Sequence, residues 1–573
     1  VDAPKKSNGP VLNLADFGLV ADEDSLSPQG TDRNLVVLEN ALSKCRESKA
    51  SKLVVPKGTY RISSGSTIKF EKLSDFVFDG GGSTFLFDQI KGGAGVSIHD
   101  CTRAVFSNYN LDWDWQKDPL ASVGRITAVA RDSSYFEMRF ETPARLDPKR
   151  WETLTPLDEK LRVPGKGMEI SNYNPTKIES LDSQTVRVFP GRHVTPQVGQ
   201  LYQLRHYMYE KHAIVMSDNA HLTLKDVNIF SFPGEGIVIG GDQHHFELLH
   251  CTIAHRKGQS RTITTTADGV HIGHSKGFIK IEDCDFGYMG DDCINLHDVG
   301  HAGVKKLDDH TLVAENIVAW QCPFAAGDPV EIREANFAPS GFTGKVTQAQ
   351  ADYKTKTVTL TFDKELPNNV DPRSILYNHR YGSNNYIIRN CYLHDNRARG
   401  ILAKSNAGLI EGNRFVHNQG PAMQLEADVD NSWNEGYGTR NLILRNNRYE
   451  QPNCGGNEDG AVILIRATVN DRATDYPLIE NILFDNNIFE NIAGPVIDAK
   501  SFKNLVFQNN EIQQHGKVAN ATKTCGWISA ELGQGLWVEN NTWSTEADQA
   551  PPHLLYDHGT TRQIGIQGNR LKN

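Results

Sequence analysis

Tyr386-Ile-Ile-Arg-Asn-Cys-Tyr-Leu393 repeats in outline what stands at Leu222-Thr-Leu-Lys-Asp-Val-Asn-Ile229 and at Ile279-Lys-Ile-Glu-Asp-Cys-Asp-Phe286. In each, apolar and polar residues alternate over four or five positions and a polar turn follows. Further copies run from Leu409 to Phe415, Leu442 to Tyr449, Ile482 to Phe489, Leu505 to Ile512, Leu536 to Trp543 and Ile564 to Leu571. A strand of period two buries one face, and Asn at a corner tolerates the left-handed backbone of a tight bend. Asn390 to Asn413 and Asn486 to Asn509 each span 23 residues, close to one coil of a solenoid, and insertions lengthen the other gaps. No unit can bury its apolar face alone, whereas stacked coils bury a continuous column. The spacing predicts an all-β fold, a parallel β-helix.

A chain of 573 residues is longer than one compact core usually grows, which suits such an elongated architecture. Thr31 or Asp32 is placed to cap a short helix carrying Leu35, Leu38, Leu42 and Cys45 on one stripe, and this helix can cover the open end of the column. Leu53 to Tyr60 and Phe76 to Gly82 read as first coils. Gly80-Gly-Gly82 reads as a turn, since no Gly-Lys-Ser/Thr follows to make it a phosphate loop.

Two stretches break the ladder. Val123-Gly-Arg-Ile-Thr-Ala-Val129 with Tyr135 to Phe140, and Thr343-Gly-Lys-Val-Thr-Gln-Ala349 with Val358 to Phe362, share a strand-then-strand outline and predict two small antiparallel, barrel-like β modules inserted between coils. The chain then divides into a cap with first coils (1–111), module one (112–208), coils with the key acids (209–298), module two (299–378) and C-terminal coils (379–573).

Composition narrows the partners. The net charge of -10 arises from 60 basic and 70 acidic residues, an imbalance too mild and of the wrong sign for a nucleic-acid or anionic-membrane binder. No apolar run reaches the length of a membrane span. A neutral or weakly charged substrate fits better. The nine cysteines form no C-x-x-C pair, so neither a zinc site nor a full disulfide framework is expected, and most are read as buried apolar fillers. Secretion or a periplasmic location is expected, with a signal peptide removed ahead of Val1. Exposed strand edges leave room for a homodimer.

The densest chemical signal is Thr264-Thr-Thr-Ala-Asp-Gly-Val-His-Ile272 followed by Gly290-Asp-Asp-Cys-Ile-Asn-Leu-His297. Asp268 and Asp291 lie 23 residues apart, one coil, and are expected to stack at the inter-strand distance of about 4.8 Å. Asp292 should leave that alignment, with Gly290 supplying a bend and Val270, Ile272, Ile294 and Leu296 pointing inward. Carboxylates so crowded titrate together, and at least one is held protonated near neutral pH. One protonated and one ionised carboxyl are what glycoside hydrolysis needs. An acidic turn or a calcium site is the alternative reading of the same residues.

These motifs resemble those of glycoside hydrolase family 110, the exo-acting α-1,3-galactosidases. The likeness rests on Thr266 to Ile272 and Gly290 to His297, joined by Asn396-Arg-Ala-Arg-Gly-Ile-Leu402, Ile410-Glu-Gly-Asn-Arg-Phe415 and Asp430-Asn-Ser-Trp-Asn-Glu435, and covers about residues 211 to 450 well. It implies a right-handed β-helix with inserted barrel modules, no metal or other cofactor in the mechanism, a terminal α-galactoside as substrate, and hydrolysis with inversion. The polygalacturonases of family 28 share the three aspartates, but their Gly-His-Gly and Arg-Ile-Lys motifs are missing here. By analogy with both families, the resemblance implies Asp291 as the general acid and Asp268 with Asp292 as the pair holding the nucleophilic water, with the other order of roles left open. Trp433 is expected to offer a platform to a sugar face, and Glu435, Asn295, His297 and Arg399 to bond its hydroxyls. Glu426, Asp428 and Glu235 are lower-ranked candidates at neighbouring coil edges. Competing functions on the same scaffold are a polygalacturonase-like endo-hydrolase, a polysaccharide lyase and a non-catalytic glycan-binding β-helix.

Overall fold

The computed structural model describes all residues except 7, 24, 28, 29, 168, 172, 173, 195, 257, 316–323, 430–433, 456–459, 516–525, 545–554 and 573. Its strands wind into a parallel β-helix. One coil runs from Ile294–Leu296 through Tyr386–Arg389 and Tyr392–His394 to Ile401–Ala403, where the next begins. Successive coils pair in parallel, so that Ile279, Tyr386, Gly408, Leu442, Ile482, Leu505, Leu536 and Ile564 stand one above another. The alternation in sequence becomes an inside and an outside: Ile281, Ile388, Ile410, Leu444, Phe484, Phe507 and Val538 form one column inside the core.

Corners are set by paired residues. In Asn446-Asn447, Asn486-Asn487, Asn509-Asn510 and Asn540-Asn541 the first asparagine takes a left-handed backbone, with φ between 55° and 57°. The second turns inward. The backbone N–H of Asn413 donates to the Asn447 side-chain oxygen at 2.9 Å, and the same bond repeats from Asn447 to Asn487, Asn510, Asn541 and Asn569. Each side-chain amide also donates along the column. Upstream the inward place is taken by Cys251, Cys284 and Cys391. The 23-residue gap from Asn390 to Asn413 therefore joins two kinds of position: Asn390 is a left-handed corner, and Asn413 is a rung whose partner is Cys391, 22 residues back.

Arg33–Ser48 is the one α-helix among the described residues, and Asp32 is its cap: Oδ1 accepts from Leu35 N at 3.1 Å. Asp32 Oδ2 accepts from Ser63 N and Ser64 N, so the cap also ties the helix to the first coil. Leu35, Leu38, Leu42 and Cys45 are buried against the column. Gly80–Gly82 lies inside the continuous strand Ser74–Phe87 as a bulge, not at a turn between strands. A side chain at Gly81 would land 2.1 Å from Val55 O.

Two antiparallel sheets interrupt the helix. The first runs Thr153–Pro156, Leu201–Arg205, Ala121–Val129, Phe136–Phe140, Thr185–Phe189, Lys177–Ser180 and closes on its own core around Met138, Trp151 and Leu204. The second runs Gly300–His301, Ile375–Asn378, Pro329–Arg333, Pro339–Asp352, Thr357–Phe362, Thr311–Ala314, Val304–Lys306 around Val330, Leu360 and Phe362. Each is an open path, its first and last strands unpaired with each other among the described residues. Cys45, Cys101, Cys251, Cys284, Cys293 and Cys391 are buried free thiols, and Cys454 is a partly exposed one.

Candidate active site

Three parallel strands, Val270–Ile272, Ile294–Leu296 and Ile401–Ala403, carry the cleft at their entrances. Their alternate residues fill the core, which fixes the loops just before them. Asp268 precedes the first strand, Asp291 and Asp292 the second, Arg397 and Arg399 the third.

The register corrects one expectation. Val270 pairs with Ile294, a step of 24 residues, so Asp292 and not Asp291 stands over Asp268. Asp292 N donates to Asp268 Oδ1 at 3.1 Å, and Gly269 N donates to Asp292 O at 2.8 Å. The 23-residue interval counted to the wrong member of the pair. Gly290 lies at the expected bend, and a second constraint acts on it. Its φ lies outside the left-handed region, and a side chain there would sit 2.4 Å from both Arg205 Nη1 and Thr266 O. Closeness, not a left-handed backbone, requires the glycine at this bend.

All three acids meet: one oxygen from each lies within 4.8 Å of the others. Asp291 is the most open, with 21% of its side chain exposed against 7% for Asp268 and 3% for Asp292. Burial pushes each carboxyl up, and their neighbours then separate them. Arg397 Nη2 reaches Asp291 Oδ1 at 2.5 Å, and Arg397, Arg399 and Arg205 together hold Asp291 below the usual carboxylate range. Asp292 is driven well up by burial and by Asp291 and Asp268, although Arg399 donates to its Oδ1 through the backbone N at 2.9 Å and approaches with Nε at 3.0 Å. Asp268 is raised by burial, with the Asp291 charge adding to it. The cluster thus sets an ionised Asp291 beside Asp292, whose neutral form is favoured by burial and by the charges around it.

Behind the acids runs a chain of imidazoles. His271 Nδ1 lies 2.8 Å from Asp268 Oδ2 and 3.4 Å from Glu235 Oε1, and its Nε2 is 3.0 Å from His297 Nε2. Burial works against the imidazolium, but Glu235, Asp268 and Glu435 outweigh it and raise His271 to about 10. Burial and the His271 charge push His297 down to about 3. His271 therefore donates from both nitrogens, His297 accepts at Nε2, and His297 Nδ1 donates to Asp298 O at 3.1 Å. Glu235 is pushed up to about 7 by burial and by the charges of Asp268, Asp291 and Glu435.

The predicted binding residues fall into three groups. Asn295, His297, Glu435 and Glu235 border the acids: Asn295 Nδ2 donates to Glu435 Oε2 at 3.4 Å, and Lys404 Nζ to the same oxygen at 2.9 Å. Arg399 serves Asp292. Glu426 is one layer back, buried between Lys404 Nζ at 3.2 Å and Arg466 Nε at 2.7 Å, and Asp428 accepts from Thr468 Oγ1 at 3.0 Å. Trp433 lies outside the described residues. Residues that sequence reasoning passed over are His271, Arg397, Lys404 and Tyr209. Tyr209 is 46% exposed at the cleft mouth; desolvation and the charges of Asp291, Asp268 and Glu235 push its hydroxyl up, which marks its closeness to all three. It follows module one directly, and an aromatic at a module's exit was the available signal.

Donor chemistry disfavours a cation at this cleft. Three trios, His271 with His297 and Glu435, Glu235 with Asp268 and His271, and the three aspartates, have donor atoms close enough for one ion. Both His271 nitrogens already donate hydrogen bonds, and the aspartates face Arg397 and Arg399, which supply the positive charge an ion would bring.

Fold and cleft together define a glycoside hydrolase of the β-helix class. Within that class, the chain is similar over most of its length to proteins named α-1,3-galactosidase. It is 23% identical to α-1,3-galactosidase B of Bacteroides thetaiotaomicron, over 88% of this chain and 86% of that one. It is 23% identical to α-1,3-galactosidase A of Shewanella woodyi, over 92% and 90%. With α-1,3-galactosidase B of Akkermansia muciniphila it shares 28% identity over 55% of this chain and 40% of the other. The family described as right handed beta helix region matches residues 381–543. Among solved structures, the family 28 exopolygalacturonase of Yersinia enterocolitica aligns with a TM-score of 0.42 and 12% identity, over 97% of this chain and 78% of that one.

Proposed function

We propose that the protein is an exo-acting glycoside hydrolase that releases terminal α-1,3-linked galactose with inversion at the anomeric carbon. The observation that carries this reading is the split among three touching carboxyls: one ionised and open, two buried and raised. Asp291, the acid most open to the cleft, is the one able to reach the glycosidic oxygen. Asp268 and Asp292 are each fixed by backbone donors and are suited to hold a water. A sugar filling the cleft displaces solvent from Asp291 and favours its neutral form, so a proton of the cluster passes to Asp291 before cleavage. Asp291 then gives it to the leaving oxygen as the bond to the anomeric carbon breaks. Water, deprotonated by the remaining pair, attacks the anomeric carbon. Tyr209 offers a ring face at the entrance, and Asn295, His297 and Glu435 offer hydroxyl partners.

Galactose release from an α-1,3-linked digalactoside, set beside α-1,4-, α-1,6- and β-linked controls, tests the substrate. Proton NMR of the first-formed anomer tests the stereochemistry. Asp291→Asn should lose most activity on the disaccharide and far less on a nitrophenyl galactoside, whose leaving group needs no acid. Equal losses on both would remove Asp291 from the acid's role. The 4.8 Å spread of the trio favours a second reading, because inverting pairs usually stand roughly 6.5 to 9.5 Å apart and retaining pairs nearer 5 Å. In that reading ionised Asp291 is the nucleophile and Asp292 the acid, and the first-formed sugar keeps its α configuration.

A further inference from the structure

We infer that Glu169, carried by the first inserted module, is a positioning residue that sets the orientation and charge of Asp291 through Arg397 and Arg205. The inference rests on the hydrolase reading above, and on geometry that none of the cleft's own coils supplies.

Arg205 closes the last strand of the module and is 1% exposed. Its Nη1 donates to Thr266 O and to Gly290 O, both at 2.6 Å, and its Nε donates to Thr153 Oγ1 at 2.9 Å. Thr266 stands two residues before Asp268, and Gly290 one before Asp291. A single guanidinium from the module thus pins two adjacent coils immediately upstream of their acids. Arg397 approaches from the third coil: its Nε donates to the same Gly290 O at 2.7 Å while its Nη2 holds Asp291.

Two nearly buried guanidiniums sharing one carbonyl repel each other. Glu169 lies between them. Its Oε2 is 3.2 Å from Arg205 Nη2 and its Oε1 is 3.4 Å from Arg397 Nη1, with Thr155 Oγ1 donating to Oε2 at 2.9 Å. The loop bearing it is fastened to the C-terminal coils, where Gln419 Nε2 donates to Gly165 O at 2.6 Å and Gly167 N to Gly455 O at 3.3 Å. Glu169 and Asp291 together balance the two arginines. Without Glu169 an uncompensated positive charge faces Asp291, its ionised form gains, and Arg397 loses the partner that fixes its far side.

Glu169→Gln keeps the shape and removes the charge. The expected result is a fall in kcat of about tenfold to a hundredfold, with KM little altered. The limb of the kcat pH profile governed by Asp291 should move to lower pH by about half a unit to one unit. Thr155→Val, which removes only one support of Glu169, should move the limb the same way by less, and Glu169→Asp should restore part of kcat. A limb that stays in place in both Glu169→Gln and Thr155→Val overturns the inference, whatever happens to folding stability. Carbon-13 NMR titration of the Asp291 carboxyl, assigned against Asp291→Asn, reads the same shift without turnover. If the wild-type enzyme fails to cleave α-1,3-galactosides, the functional reading falls while the titration still decides this one.

Discussion

The two inserted modules enter the same solenoid, each with apolar and polar contacts, but differ in what reaches the catalytic coils. Module one reaches the catalytic coils through charge, with Arg205 seated on Thr266 O and Gly290 O. Module two rests on the C-terminal coils through an apolar patch in which Phe337, Ile375 and Tyr377 meet Ala427, Val429 and Tyr437. Hydrogen-bonded charges are directional and costly to misplace, whereas apolar contact is forgiving in angle. The difference assigns module one to the accuracy of the site and module two to the cohesion of the fold.

The largest expected effect breaks the polar dock. Arg205→Met should leave Thr266 O without its side-chain donor and Gly290 O with Arg397 alone, and lower kcat by about a hundredfold to a thousandfold, ~3 to 4 kcal/mol of transition-state stabilisation, with a smaller change in unfolding free energy. Arg205→Lys should recover little, since one ammonium cannot reproduce the four contacts of the fork. Steady-state rates and urea unfolding on the same preparations check this. If Arg205→Met unfolds the protein without slowing what remains folded, the contrast between the modules fails.

Tyr377→Ala attacks the apolar dock. The ring is fully buried, and its removal should cost about 3 kcal/mol in urea unfolding with kcat close to wild type. A loss of rate as large as that of Arg205→Met would show that both modules serve the chemistry.

A third test lies on the coil between the modules. Glu235 is raised from 4.5 to about 7, so its contribution to stability is complete below pH 4.5 and is lost as pH rises toward 7. Glu235→Gln should therefore flatten the decline of the unfolding free energy across that window, by about 1 to 3 kcal/mol at its upper end, and the melting temperature with it. Thermal scans in buffers from pH 4 to 8 measure it, and an unchanged slope would remove the buried acid from the account.

The smallest effect sharpens the comparison from within module one. Arg162 and Glu141 form an exposed pair, 37% and 49% open, and Arg162→Ala should change stability by less than about 0.5 kcal/mol and leave kcat alone. Polar contacts of this module matter where water is excluded, not wherever they occur.

Much of this was legible in the chain. Alternation in Leu442 to Tyr449 and its kin announces the solenoid because a buried column leaves no freedom in which face is apolar. The three aspartates and Glu235 converge because they sit at the entrances of neighbouring coil strands. Asn295 lies within one of those strands, His297 just beyond its end and Glu435 on a short antiparallel strand beside them. The finer register was hidden: counting 23 residues from Asp268 ends one short of its true partner, Asp292, since strand pairing fixes a step of 24 here. Arg397 was hidden for a related reason. It stands two residues from Arg399 in one motif, and nothing in periodicity tells which guanidinium turns toward Asp291. Glu169 and Arg205 lie more than sixty positions ahead of Asp268, in a module whose docking face has no repeat to betray it.

The asparagine column has a mechanical consequence. From Asn413 to Asn569 each rung holds the next by a backbone and a side-chain amide at once, so sliding one coil across its neighbour must rupture both. In the coils bearing the acids, the matching link is to sulfur, a weak acceptor and weak donor: Cys251 N donates to Cys284 Sγ at 3.4 Å, and Cys284 Sγ donates to Leu248 O at 3.6 Å. The tail is thus a stiff rail, and compliance is concentrated where a sugar has to be gripped and then let go.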